Sequence, residues 1–118
     1  MTGEEFVKLC KEEQRMVLEE YFDDKSKSEV GDIIKKLVQT GVSKDDLFNL
    51  VDTVLKESYY TLLLGLDGGC SLGNKQVTYK LYDEEGNLLN ECGEIEESAY
   101  SYFMNTIWKS SNVPKCIY

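Results

Sequence analysis

The segment KQVTYKLYDEEGNLLNEC, residues 75–92, separates a mixed α+β chain from an all-helical one. Val77, Tyr79 and Leu81 alternate with Thr78, Lys80 and Tyr82, the period of two that sends successive side chains to opposite faces of a strand. Asp83-Glu84-Glu85-Gly86-Asn87 then supplies a turn with glycine where positive φ is needed, and Leu88 and Leu89 resume the apolar pattern. The spacing predicts a β-hairpin over about 75–92. An isolated hairpin is marginal in water, so its apolar face has to lie on other elements.

Helices are predicted on both sides of it. At the start, Thr2 and Glu5 form a T-x-x-E capping-box pattern ahead of Phe6, Val7, Leu9 and Cys10. The polar stretch from Lys11 to Arg15 blurs the phase before Met16, Val17, Leu18, Tyr21 and Phe22, so one bent helix and two short ones fit equally. Ser26 with Glu29 reads as the next cap, before Val30, Ile33, Ile34, Leu37 and Val38, with Gly41 as the stop. Ser43 with Asp46 opens a long helix over about 44–66, in which Leu47, Phe48, Val51, Val54, Leu55, Tyr59, Leu62 and Leu66 share one face. From Tyr59 the run is apolar all round, which a buried strand would also explain; the unbroken phase and the Asp67-Gly68-Gly69 stop favour the helix. A last helix is predicted over about 94–108, acidic at its N-terminal end and stopped before Pro114. The expected fold is a single α+β domain over residues 1–118, with helices first, a hairpin later and a closing helix.

A chain of 118 residues with 42% apolar side chains and one proline reads as a soluble globular domain able to bury a core without disulfides. Its 22 acidic and 13 basic side chains give a net charge of −9, which opposes binding to a nucleic-acid backbone and suits a basic protein partner. There is no histidine, so the usual general acid/base and the commonest metal ligand are missing. Cys10, Cys70, Cys92 and Cys116 contain no C-x-x-C pair, and reduced core thiols are expected, with no metal and no cofactor. The opening MTGEEFVKL carries acid where a secretory signal needs a basic end, and no apolar run approaches membrane-spanning length. A cytoplasmic protein that does not engage membranes is expected.

Two features compete for function. The glycine-rich loop at 65–75 brings Gly68 and Gly73 near a phosphate-binding spacing, but Asn74 precedes Lys75 and Gln76 replaces the hydroxyl residue. A small enzyme or ligand-binding domain using this loop with Cys70 and Asp67 is one alternative, although Cys70 has no histidine to activate it. The second feature is an acidic run: Asp83, Glu84, Glu85, Glu91, Glu94, Glu96 and Glu97, with no lysine or arginine among them. Tyr100, Met104 and Trp108 follow at i, i+4, i+8, and aromatic anchors beside a charged rim are common anatomy for an interface. These ten residues are the predicted partner-binding surface. The leading expectation is a non-enzymatic, acidic binding module, such as an inhibitor or immunity-type protein, that captures a basic partner. A regulatory module that forms a homodimer through the Tyr100, Met104 and Trp108 stripe is the remaining alternative. The first helix region adds acid of its own, with eight carboxylates between Glu4 and Asp24 against Lys8, Lys11 and Arg15.

Overall fold

Asn90 determines what becomes of the middle of the chain. In the computed structural model, which describes residues 1–104, its side-chain oxygen accepts from the Leu81 N–H at 3.0 Å. Its amide donates to the Tyr79 carbonyl at 2.7 Å and the Leu66 carbonyl at 3.2 Å. A side chain thus takes backbone groups that a return strand would have paired. The turn itself forms: Asp83 Oδ1 accepts from Glu85 N–H and Asn87 N–H, Gly86 has φ of 84°, and Leu89 N–H reaches the Leu81 carbonyl at 2.8 Å. Pairing stops there. Among the described residues only isolated bridges occur, Tyr82 with Leu88 and Leu72 with Lys75. The expected β-hairpin over 75–92 is absent, and the fold is helical rather than α+β. The return arm has two apolar residues before Asn90, and Cys92 at φ 53° then turns the chain into helix.

Four α-helices carry the described residues: α1 (Gly3–Tyr21), α2 (Glu29–Gln39), α3 (Lys44–Leu66) and α4 (Glu94–Ala99), the last entered through a 3-10 turn and left through a π-turn at Tyr100–Met104. The part of the predicted closing helix beyond Met104 lies outside the described residues. Thr2 caps α1 by accepting from Glu5 N–H, and Ser43 caps α3 through Asp46 N–H, as the sequence patterns predict. The α2 cap is Ser28, accepting from Gly31 N–H, and not Ser26. The Ser26 hydroxyl is buried against the Glu20 carboxylate at 2.7 Å instead. The helix α1 is single, and its blurred phase has one cause. Gln14, 1% exposed, sits at a core position because Lys11 Nζ donates to its carbonyl and its amide donates to Asp52 on α3. The long helix continues through Leu66, so 58–66 is helix and not strand.

The core joins Val7 of α1, Tyr60, Leu63 and Leu64 of α3, Cys70, Leu89, and Ile95, Ala99, Phe103 and Met104 from the final turns. Tyr59 stacks on Phe103 with ring centroids 5.8 Å apart, and Lys11 Nζ lies 5.2 Å over the other ring interaction partner, Phe103, adding a cation–π contact. At the far end Phe22 meets Phe48 edge-on at 5.1 Å, tying the end of α1 to the start of α3. Gly3 allows a close approach that no other residue type would: a Cβ there would collide with the Leu89 carbonyl oxygen and crowd Glu94. That contact brings the start of α1 against the start of α4.

Candidate functional site

The junction of α1 and α4 gathers carboxylates from opposite ends of the sequence. The Asp67 side chain, at the end of α3, accepts from Glu96 N–H at 2.7 Å and so holds the first turn of α4. Burial raises the Asp67 carboxyl above its ordinary value, Glu96 and Glu94 add to the rise, and the Glu96 and Ile95 N–H groups oppose it. Glu94 reaches the other way and accepts from Glu4 N–H at 3.4 Å, across the N-terminus of α1. Tyr102 OH donates to Glu4 Oε1 at 3.3 Å. Between them opens a pocket of about 240 Å³ lined by Glu4, Glu94, Glu97, Ser98, Ser101 and Tyr102.

Three carboxylates and three hydroxyls line this pocket, with no lysine or arginine. Such a lining accepts hydrogen bonds from a cation and repels an anion. The described residues hold no cluster of three His, Cys, Asp or Glu side chains close enough for a metal ion. A second pocket, of about 200 Å³, lies where the end of α1 meets α2 and α3. Asp23 and Asp24 there face Lys35 and Lys44, so it selects neither sign of charge.

The predicted surface is only partly assembled. Glu94 and Glu97 meet at the pocket, while Glu84, Glu85 and Glu91 are exposed elsewhere on the connection between α3 and α4. Asp83 is committed internally: it pairs with the N-terminal ammonium of Met1 at 3.1 Å and accepts from Asn87 through both the side-chain and backbone N–H. The Asn87 hydrogen bonds first, then the ammonium and Glu85 N–H, hold its carboxyl well below the usual carboxylate range despite some desolvation. Glu96 is half-buried, with its carboxylate close over Gly69. Met104 is a core residue and Tyr100 packs against that core, so neither presents the expected exposed stripe; Trp108 lies outside the described residues. Glu4, Ser98, Ser101 and Tyr102 complete the pocket and were not singled out as a site by their sequence positions. The only local signal was the spacing of Glu94, Glu97, Ser98 and Ser101, which places them on one side of the final turns.

The glycine-rich loop is packed rather than open. Gln76 Nε2 donates to the Gly68 carbonyl at 3.0 Å, Leu72 and Lys75 bond each other's backbone, and Leu72 lies over Gly65. Cys70 is 4% exposed and disulfide-bonded, which corrects the expectation of reduced thiols at this position; Cys10 and Cys92 are free. The alternative reading of this loop loses both of its reactive groups, since Cys70 is bonded and Asp67 caps α4. No described helix is long and apolar enough to cross a membrane. No protein-family model matches the chain, and neither curated proteins nor solved structures gave a match.

Proposed function

We propose that the chain is a binding module, in the manner of an inhibitor or immunity-type protein, that captures a basic protein by taking a lysine or arginine side chain into the pocket between α1 and α4. The observation that carries this reading is the lining itself: Glu4, Glu94 and Glu97 converge there with no basic residue to neutralise them. Glu84, Glu85 and Glu91 extend the negative field and serve encounter more than grip, since exposed charges act mainly on association rates. The role in this reading is binding, since carboxylates and hydroxyls with no basic residue among them offer a cation ionic and hydrogen-bond partners.

The test uses lysine- and arginine-containing peptides against versions with glutamine at the same positions, followed by fluorescence anisotropy over a range of salt. Glu97→Lys, at an exposed position that holds no other element in place, is expected to weaken binding about tenfold or more and to flatten its salt dependence. Equal binding of the glutamine peptides, or parent-like binding by Glu97→Lys, refutes the reading. Compartment enters through the thiols. Free Cys10 and Cys92 suit the cytoplasmic placement that belongs to this proposal, and the bond at Cys70 is the observation against it.

A further inference from the structure

The pocket where the end of α1 meets α2 and α3 stands apart from the acidic one by the length of α1, about 28 Å for its 19 residues. Part of its lining is apolar. Tyr21 and Phe22 at the end of α1 are half-buried, Ile34 of α2 is buried, and Val38 follows one turn later on the same helix. Phe22 is held there by its edge-on contact with Phe48 at the start of α3. The rest of the lining carries charge of both signs, Asp23 and Asp24 from the turn after α1, Lys35 from α2 and Lys44 from the first position of α3. These four make no ion pair with one another, since the ion pairs among the described residues are Met1 with Asp83, Arg15 with Glu19 and Lys56 with Asp52. Asp23 accepts from Lys25 N–H at 2.8 Å, which fixes the turn, and Lys35 Nζ donates to the Ser26 carbonyl at 3.4 Å. The Asp24 carboxylate and the Lys44 ammonium have no hydrogen-bond or ionic partner among the described residues.

A lone anion in this pocket would meet Asp23 and Asp24, and a lone cation would meet Lys35 and Lys44. An uncharged apolar ligand would take water from all four and return nothing in its place. A molecule that carries both charges beside an apolar group satisfies every part of the lining at once. Size narrows the class further. The cavity of about 200 Å³ lies below the roughly 300–1,000 Å³ of pockets that take drug-sized molecules, which limits the ligand to about one amino acid. We infer that this pocket binds a free aromatic α-amino acid, its ring against Tyr21, Phe22, Ile34 and Val38, its ammonium toward Asp23 and Asp24, and its carboxylate toward Lys35 and Lys44. The end of α1 supports that direction, since no basic residue stands in its last turn and its carbonyl dipoles add to the negative potential at Asp23 and Asp24. The aromatic rings already in the lining favour an aromatic ligand, through stacked or edge-on contact. The end of a peptide chain suits the pocket less well, because it brings one charge without the other and leaves two of the four lining charges unmet.

The experiment is calorimetric titration of the full chain with L-phenylalanine. Its comparisons are N-acetyl-L-phenylalanine, which lacks the ammonium, L-phenylalanine amide, which lacks the carboxylate, and glycine, which lacks the ring. L-Phenylalanine is expected to bind with a dissociation constant below about 1 mM, and each comparison about tenfold or more weakly. Asp24→Asn and Lys44→Gln are each expected to weaken L-phenylalanine about fivefold or more, with the helical circular dichroism unchanged because both positions are exposed. Each variant should also be blind to the ligand group its side chain no longer meets, so Asp24→Asn leaves the N-acetyl compound, and Lys44→Gln the amide, at parent affinity. Glu97→Lys alters the other pocket and is expected to leave L-phenylalanine binding as it was. No binding of L-phenylalanine up to about 10 mM, a comparison compound that binds as tightly, or parent-like binding by either Asp24→Asn or Lys44→Gln overturns the inference.

Discussion

Replacing Asn90 with alanine should cost the domain about 3 kcal/mol, a large share of the stability available to a fold of this size. The figure comes from three hydrogen bonds lost together: Leu81 N–H into the side-chain oxygen, and the amide into the carbonyls of Tyr79 and Leu66. Each contributes about 1 kcal/mol net, and the half-buried backbone groups left behind have no strand to turn to. Urea unfolding measures it as a lower midpoint with an unchanged slope, because the native surface is otherwise retained. Amide exchange locates it, with protection falling first at Leu81, whose N–H loses its acceptor. Asn87→Ala is the comparison, since that side chain bonds Asp83 on an exposed turn and should cost under about 1 kcal/mol. An Asn90→Ala loss no greater than that of Asn87→Ala, or a Leu81 amide still fully protected, would refute the argument that one side chain substitutes for the missing strand.

Gly3→Ala should destabilise by about 1–3 kcal/mol in the same unfolding assay, because the new Cβ meets the Leu89 carbonyl oxygen, which is backbone and cannot swing aside. Asp67 and Asp83 should give pH dependences of opposite sign. The folded Asp67 carboxyl lies above its ordinary value of 3.8, so its contribution is fully present below that value and is lost as pH rises through the folded one. Asp67→Asn keeps an acceptor for Glu96 N–H, and it should gain on the parent as unfolding is measured from pH 3 to about 7. The folded Asp83 carboxyl lies below 3.8, so its contribution is present above that value and is lost as pH falls beneath it; Asp83→Ala should be hurt most near neutral pH and least in strong acid. Peptide mapping after alkylation of the unfolded, unreduced chain should leave Cys70 unlabelled while Cys10 and Cys92 react, and prior reduction should expose it.

What the sequence made legible was local, and what it hid was tertiary. The caps at Thr2 and Ser43 act within three residues, so their patterns located the starts of α1 and α3 correctly. Ser26 carries the capping-box spacing with Glu29 and Ser28 does not, yet Ser28 is the cap, because Glu20 claims the Ser26 hydroxyl from the preceding helix. Gln14 reads as a polar interruption because the group that satisfies it, Asp52, stands 38 residues away. The alternation at 77–82 formed no strand, although the turn after it formed. Asn90 nonetheless redirected the ladder through partners 9, 11 and 24 residues distant, which no window of periodicity contains.

The acidic run shows the same division in electrostatic form. Composition fixed its sign, but carboxylates near turns and helix starts are the ones a fold uses as acceptors for its own N–H groups. Asp83 is taken by the turn and the N-terminal ammonium, and Glu94 by the start of α1. Glu97, one turn further along, has left those orphan donors behind and is exposed. Glu4 joins it from 93 positions earlier, because Gly3 lets α1 approach the chain at Leu89. Counting charge along a segment therefore overstates how much of it the fold leaves uncommitted after capping has been satisfied. Of the run, Glu97 is the exposed carboxylate that also lines the pocket, so under the proposed reading Glu97→Lys discriminates between a docking surface and a merely solvated one better than any substitution at Asp83.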